Sequence, residues 1–290
     1  MKMFRHEMKK IFSRWEVWGV LAVCCLLALA AFAEVQGTTL MRGYKHTTYD
    51  VVPEARGIYL ELADSPEMGS MLYLSMIGQI ALIFLLPLLA AVPAGCSYVE
   101  EKKSRVNVLL IAKGGHVRYY WSKAAAVALS GFLVFVLPLL MNYLFCVIAL
   151  PAQGPVPVNG EIYQSDPWWK FESALFPQLQ ANYPALNALV QIGLFGLWGM
   201  GLALLTYAVS LHFCKNTVVN LLLPTVGYMV LMLIFSFFKL DWLIIPNYFS
   251  LVSVFNKVNL IIPFAGLALP LCISAVLIWV KTGKKQRDIL

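Results

Sequence analysis

Residues 124–150 read AAAVALSGFLVFVLPLLMNYLFCVIAL, and none of these 27 residues is Asp, Glu, Lys, Arg or His. A helix of about 20 apolar residues crosses the hydrocarbon core of a bilayer, so this run has the length and composition of a transmembrane span. Comparable runs recur along the chain. They predict an all-α polytopic membrane protein with six transmembrane helices, at 17–36, 72–97, 124–150, 187–211, 217–238 and 260–280.

The overall composition supports the same class of protein. Of the 290 residues, 60% are hydrophobic and 13% are charged, whereas soluble domains have about 45–50% and about 25%. A soluble fold of this size could not bury so much apolar surface, which excludes a disordered chain, a disulfide-stapled secreted module and a typical cytosolic enzyme. The six cysteines lie in the apolar runs or at their ends, where we expect packing residues rather than disulfides or metal ligands.

The basic residues predict the orientation of the spans. The net charge is +7, and sixteen of the 22 Lys and Arg residues lie before the first span, in the second and fourth connections, or after the sixth span. Cytoplasmic loops carry the excess of Lys and Arg, so we expect both termini to be cytoplasmic. The first span contains Ala31-Phe32-Ala33, similar to a signal-peptidase site, but the five spans that follow favour an uncleaved anchor.

Two further segments have membrane-related patterns. In residues 1–16, apolar side chains recur at helical spacing between basic ones, which predicts an amphipathic helix lying in the cytoplasmic interface. A charged flank that only sets the topology is the simpler interpretation. Residues 239–259 alternate apolar and polar groups around Pro246, too briefly for a span. We expect either a short re-entrant outer segment before the last span or a surface loop.

Residues 98–123 form the predicted cytoplasmic loop with the most distinctive pattern. Acidic residues come first, then basic residues, then an apolar stripe of Val106, Leu109 and Leu110 that ends at Gly114-Gly115. This pattern predicts a short amphipathic helix ended by glycine. A solvated run of charges with one interfacial helix is the alternative.

Few polar side chains are predicted inside the membrane. Gln79, Asn142 and Gln191 are candidates for a substrate path, although hydrogen bonds between helices are the more common role for such residues. The span interiors after the first contain no carboxylate, which disfavours ion-coupled transport. The phosphate-binding pattern G-x-x-x-x-G-K-[ST] is absent from the sequence. We therefore predict no catalytic residue, metal site, cofactor or nucleic-acid partner for this chain.

The loop 98–123 also carries a family resemblance. Glu100, a small residue at Ser104, the pair Leu109-Leu110, and Lys123 at the start of the third span occupy positions similar to those in the ABC-2 type of ABC exporter permeases. The layout resembles that family as well, with an N-terminal interfacial helix, six spans and a Gly-rich fourth span. The resemblance extends over nearly the whole chain.

The resemblance implies a single permease domain over 1–290, the transmembrane subunit of an ATP-driven exporter in a bacterial cell membrane. Two ABC ATPase subunits would bind ATP and Mg²⁺, and a second permease would complete a homodimer or heterodimer surrounded by membrane lipid. The loop would dock into the ATPase, and the cargo would be an amphipathic molecule such as a peptide antibiotic, a drug or a lipid. The implied coupling residues are Glu100, Glu101, Ser104, Arg105, Leu109, Leu110, Arg118 and Lys123.

Two other classes of protein remain as alternatives. Residues 100–105 match the EExxxR pattern of CAAX-protease-like intramembrane proteases, and His212 with Asn216 matches their HxxxN pattern. Their FxxxH element is missing, since none of the four histidines has Phe four residues earlier. A membrane sensor or assembly factor that uses the outer loops is the second alternative.

The predicted orientation can be tested by chemical labelling. Cysteine placed at Asp64 or Gly160 should react with an impermeant maleimide in intact cells, because both positions lie in predicted outer loops. Cysteine placed at Lys113 or Lys284 should react only after the cells are opened. The reverse pattern would show that the inside and outside assignments are exchanged.

Overall fold

The computed structural model describes residues 2–45, 78, 80–93, 97–149, 175–213, 216–240, 243–245, 248 and 260–283. This part of the chain is 90% helical and contains no strand. The helices are α1 (Lys2–Phe12), α2 (Trp15–Lys45), α3 (Leu86–Ala91, preceded by a π-helical turn at Ala81–Leu85), α4 (Ser97–Lys103), α5 (Val106–Gly114), α6 (His116–Ala149), α7 (Pro177–Asn182), α8 (Pro184–His212), α9 (Thr217–Phe237) and α10 (Ile261–Gly283).

Five helices of the described residues are long and apolar enough to cross a membrane. They are α6, α8, α9, α10 and the Trp15–Glu34 part of α2. The expectation of an all-α, multi-pass membrane protein is confirmed at this level. The predicted span at 72–97 is not seen as one helix, because helix α3 ends at Ala91 and a turn follows at Val92 and Pro93. Of the other residues of this predicted span, 80–85 form a helical turn, and 78 and 97 are also helical. Residues 72–77, 79 and 94–96 lie outside the described part of the chain.

Helix α8 is the centre of the bundle. In an apolar 18-residue stretch of α8, 61% of the residues are buried, compared with 22% in the corresponding stretch of α9 and 28% in that of α10. It packs against α6, α10, α3, α9 and α7. A helix that is apolar on all sides is stable only inside a protein or in lipid, so the exposed apolar sides of α9 and α10 are the surfaces that a bilayer would cover.

Helices α6 and α8 approach each other closely at glycines. A Cβ atom at Gly199 would lie 2.2 Å from Phe135 Cδ2 and 2.8 Å from the carbonyl oxygen of Gly131. A Cβ atom at Gly131 would lie 2.4 Å from Ala203 Cβ. Small residues let helix backbones come together in membranes, where van der Waals contact replaces the hydrophobic effect as the source of helix association.

The segment predicted as a loop at 98–123 is mostly helical. It contains α4, α5 and the first two turns of α6, which begins eight residues earlier than the predicted span at 124–150. Arg105 (φ 58°) separates α4 from α5, and Gly115 (φ 81°) separates α5 from α6. Both residues have a positive φ, which ends one helix and redirects the chain into the next.

The outer segment at 239–259 is described only at 239–240, 243–245 and 248. The chain leaves α9 through Lys239, which also has a positive φ of 55°. Ile245 then packs on α10, where a Cβ atom at Gly266 would lie 2.0 Å from Ile245 Cδ1, and Tyr248 is buried. The described part of this segment is therefore packed against the bundle, while the predicted re-entrant shape depends on residues outside the described part.

The contact between α6 and α8 can be tested with one methyl group. Gly199→Ala should lower the stability by about 1–3 kcal/mol, because the added atom overlaps Phe135 and the backbone of Gly131. Gly193→Ala on the same helix is the matched control, because nothing lies within 4 Å of its Cβ position. Thermal unfolding of the purified protein in detergent would measure both. Equal melting temperatures for the two variants would contradict this packing.

Candidate functional site

Helix α1 is amphipathic, as predicted, and its apolar side packs on protein. Ile11 is buried, and Phe4 and Met8 are partly buried against the apolar cluster that contains Tyr98 and Ile111. Part of the surface that we expected to lie in the membrane interface is therefore covered by α4, α5 and α6. This docking also brings two charged side chains of α1, Glu7 and Lys10, against α4 and α6.

A group of charged side chains, here called the ionic cluster, joins α1, α4 and α6. Glu101 accepts hydrogen bonds from Lys10 and from the hydroxyl of Tyr119. The Lys123 Nζ atom lies 2.5 Å from Glu101 Oε2 and 3.8 Å from Glu7 Oε2. The side chains of Glu7, Glu101 and Lys123 are at most 2% exposed. Two carboxylates and two ammonium groups thus balance each other, and of these only Lys10 is partly exposed.

The charges of the cluster determine the protonation state of Glu101. Burial raises the pKa of this carboxyl group. The attraction of Lys123 and the hydrogen bonds from Lys10 and Tyr119 lower it, and the net pKa lies below its ordinary value of 4.5. Glu101 therefore stays ionised at neutral pH, and loss of one partner would leave an uncompensated buried charge, which costs about 3–5 kcal/mol.

The alternative of a solvated run of charges at 98–123 does not hold for Glu101 and Lys123, because both side chains are buried. The reason is that α6 begins at His116, so that Lys123 lies within the helix and faces α1 and α4. Glu100 is different, because its side chain is 48% exposed and pairs with Arg14 at 2.7 Å.

Three buried tyrosines lie next to the ionic cluster and extend its contacts to α8. The hydroxyl groups of Tyr98 and Tyr120 are 3.4 Å apart, and their rings pack at 5.8 Å between centroids. Tyr207 on α8 donates a hydrogen bond to the carbonyl oxygen of Tyr120 at 3.3 Å. The tyrosines therefore join α4 to α6 and α6 to α8.

Helix α5 presents an exposed apolar surface. Val106, Val108 and Leu109 are exposed, with Leu109 at 65%, and they are here called the α5 face. Leu110 is instead half buried and packs against the cluster around Tyr119. The two leucines, expected to act together, therefore point to different sides of the helix. The α5 face is bordered by exposed polar and basic residues at Lys102, Lys103, Ser104, Arg105 and Arg118.

The structure describes two of the three candidates for a substrate path, and these two have different hydrogen bonds. Asn142 is buried on α6 and donates a hydrogen bond to the carbonyl oxygen of Ala28 on α2 at 2.9 Å, so it has the helix-joining role that is common for such residues. Gln191 is buried on α8, and its Oε1 atom has no hydrogen-bond partner among the described residues. Gln79 lies outside the described part of the chain.

The residues that match the protease patterns are occupied in other ways. Glu100 and Glu101 form the ion pairs given above. His212 Nε2 lies 3.1 Å from the carbonyl oxygen of Leu277. Asn216 caps α9, since its Oδ1 atom accepts a hydrogen bond from the backbone of Val218 at 3.2 Å. Within the described residues, no three His, Cys, Asp or Glu side chains are grouped so that they could hold a metal ion.

Comparisons with known proteins add no relative. No protein-family model matches the chain, no curated protein matches it, and no solved structure is similar to it.

The ionic cluster is not predictable from the sequence alone, although part of its signal is present there. Glu7 and Lys10 lie one helical turn apart on the predicted amphipathic helix, among apolar residues that required a partner surface. Nothing in the sequence indicated that this surface is formed by residues about 90 positions later.

The two adjacent glutamates provide a direct test of the cluster. Glu101→Gln should lower the stability by about 3–5 kcal/mol, because it removes a buried charge from two ammonium partners. Glu100→Gln should change it by about 0–1 kcal/mol, because its ion pair is exposed. Thermal unfolding in detergent at pH 7 would compare the two variants with the parent. Equal losses for both would contradict the buried cluster.

The pH dependence of the same proteins gives an independent readout. A carboxyl group with a lowered pKa in the folded state stabilises the protein above its unfolded pKa, and this contribution is lost as the pH falls through the folded value. The parent should therefore lose this stability below about pH 4.5. Glu101→Gln lacks the carboxyl group, so its melting temperature should change less between pH 7 and acidic pH.

Proposed function

We propose that this chain is the transmembrane subunit of an ATP-driven exporter of the ABC-2 type, located in a bacterial cell membrane with both termini in the cytoplasm. In this proposal the five long helices and a sixth span around 72–97 form the permease, and 239–259 includes a re-entrant outer segment. Two ABC ATPase subunits bind ATP and Mg²⁺, and a second permease, identical or related, completes the transporter.

The α5 face is the observation that carries the proposal. It is an exposed apolar surface on a short helix outside the five long apolar helices, and Leu109 is its most exposed member. Burial of one leucine side chain contributes about 1.5–3 kcal/mol, which suits a central anchor in a protein interface. The exposed cations Lys102, Lys103 and Arg105 around it suit the orientation of a partner with acidic groups.

The contacts behind the α5 face support a mechanical role. Leu110 and Ile111 on the other side of α5 pack into the apolar cluster formed with α1, α6 and α8. The adjoining α4 is held by the ionic cluster and by the tyrosines. A force that a partner applies to α5 would therefore pass through packed and ion-paired side chains to two long apolar helices. Arg105 and Gly115, at the two ends of α5, are the positions where the backbone could turn.

The energy source in this proposal lies on the partner. The described parts of α8 and α9 contain no ionisable Asp, Glu, Lys or Arg between 184 and 211 or between 217 and 237, so these helices offer no carboxylate for coupling to an ion gradient. The cargo in this proposal is an amphipathic molecule such as a peptide antibiotic, a drug or a lipid.

The protease alternative has weaker support. A catalytic carboxylate works best with a pKa near the operating pH, whereas the pKa of Glu101 is lowered and its oxygens contact Lys10, Lys123 and Tyr119. Glu100 is paired with Arg14. These contacts favour a structural role for both glutamates.

A single substitution on the α5 face tests the coupling role. Leu109→Asp should abolish co-purification of the ATPase and ATP-dependent export, because it places an unpaired carboxylate in an apolar contact at a cost of several kcal/mol. The protein should still fold and insert, since Leu109 is exposed. Replacement of both leucines would be less informative, because Leu110 also stabilises the fold.

The control for this experiment is Glu100→Ala, on the preceding helix. It should reduce ATPase binding only slightly, because a half-exposed ion pair contributes about 0–1 kcal/mol. The protease hypothesis makes the opposite prediction, with Glu100→Ala fatal to activity and Leu109→Asp harmless. Normal ATPase binding and export by Leu109→Asp would show that the α5 face does not couple the subunits.

A further inference from the structure

Helix α8 carries a row of polar side chains along one buried side. Asn187, Gln191 and Trp198 are separated by four and seven residues, which places them within about 40° of one another around the helix axis, in a row about 16 Å long. Asn187 is 0% exposed, Gln191 is 1% exposed and Trp198 is 5% exposed. This arrangement lies in the most buried helix of the bundle.

Helix α9 adds a fourth member. The ring of Tyr228 packs edge-on against Trp198, with centroids 5.3 Å apart. We call Asn187, Gln191, Trp198 and Tyr228 the polar row. Asn220, two turns before Tyr228, is also buried on α9 and has an unpartnered Nδ2 atom.

Five buried polar atoms of the row have no hydrogen-bond partner among the described residues. They are both amide atoms of Asn187, Gln191 Oε1, Trp198 Nε1 and Tyr228 OH. Each such atom loses its bonds to water on burial and gains nothing in return, which is a direct cost to the fold. A bilayer offers no water to compensate.

Several buried hydroxyl groups on the long helices do have a hydrogen-bond partner. Ser130 and Thr206 donate to backbone carbonyl oxygens at 2.8 Å and 3.0 Å, and Ser274 does so at 2.6 Å. The bundle therefore has an ordinary way of pairing buried hydroxyl groups inside its long helices. The amide, indole and phenol groups of the polar row are larger and have no such partner among the described residues, so a group from outside this set would be needed to satisfy them.

We propose that the polar row binds the uncharged hydrogen-bonding part of an amphipathic ligand, with amide groups as the preferred chemistry. The row offers donors at Asn187 Nδ2, Trp198 Nε1 and Tyr228 OH, and acceptors at Asn187 Oδ1 and Gln191 Oε1. An amide group supplies the complementary acceptor and donor in one unit. The ligand is neutral, because α8 and α9 contain no Asp, Glu, Lys or Arg that could pair with a charge.

The surroundings suit the apolar part of the same ligand. Leu194 and Phe195 lie on α8 between Gln191 and Trp198, and both belong to the apolar core of this end of the bundle. Aromatic rings with a polar atom, such as those of Trp198 and Tyr228, contact apolar groups and still form a hydrogen bond. The identification of this ligand as exported cargo rests on the proposed function, whereas the binding itself does not.

Photolabelling of the purified full-length chain in lipid nanodiscs, without any ATPase, tests the proposal. The probe is a neutral N-decanoyl dipeptide amide that contains a benzophenone side chain, and the second probe is the same molecule with a terminal ammonium group. The neutral probe should label α8 or α9, as located by peptide mass spectrometry, and the charged probe should label them less. Labelling of other helices alone would overturn the proposal.

The decisive variant is the double substitution Asn187→Leu with Gln191→Leu. It should reduce labelling of α8 and α9 by about tenfold or more, as expected for the loss of hydrogen bonds to two side chains. Its melting temperature without probe should equal or exceed that of the parent, because it removes unpaired polar atoms. Unchanged labelling would overturn the proposal, because it is the result expected if the polar row holds only water. A melting temperature clearly below that of the parent would overturn it as well.

Asn142→Leu is the matched control. It also replaces a fully buried asparagine by leucine, but it breaks an existing hydrogen bond to Ala28. It should therefore lower the melting temperature and leave labelling unchanged, the reverse of the double variant.

The two proposals can fail separately. If labelling depends on the polar row while no ATPase co-purifies with the chain from cells, the exporter proposal fails and the binding site stands. If the ATPase co-purifies but labelling ignores the row, only the site is wrong.

Discussion

The ammonium group of Lys123 sets the arrangement of one whole end of the molecule. A buried cation requires carboxylate partners in close contact, and α6 has none nearby. Glu101 from α4 and Glu7 from α1 supply them. Helix α1 docks against α6, and α4 lies beside it, in the positions that give Lys123 these partners. Helix α5 follows directly between Arg105 and Gly115 and exposes the α5 face.

The two ends of the bundle are stabilised by different physical interactions. Near α1, ion pairs and tyrosine hydrogen bonds fix the relative positions of short helices. Further along, α6 and α8 are joined by close backbone contact at Gly131 and Gly199 and by stacked Phe135 and Phe195 rings, whose centroids are 6.5 Å apart. Contacts of the first kind are directional, and contacts of the second kind depend on shape. Helix α8 takes part in both and so connects the two ends.

The sequence predicts the long helices well because a membrane span is a local property of about 20 consecutive residues. Three features were not predictable in this way. The early start of α6 depends on tertiary partners for Lys123, the pairing of Lys10 with Glu101 joins residues 91 positions apart, and the different exposure of Leu109 and Leu110 depends on which side of α5 faces the core. Each of these is decided by contacts between distant segments, and a single sequence does not record which segments meet.

The ionic cluster also imposes an order on biosynthesis. At about 5–20 residues per second, Glu101 leaves the ribosome about 5–18 s after Lys10, since 91 positions separate them. During this time α1 has no carboxylate partner from α4, so Lys10 and the apolar side of α1 are without the contacts that they have in the folded protein. Docking of α1 is therefore a late step, completed only after α4 and the first turns of α6 have been made.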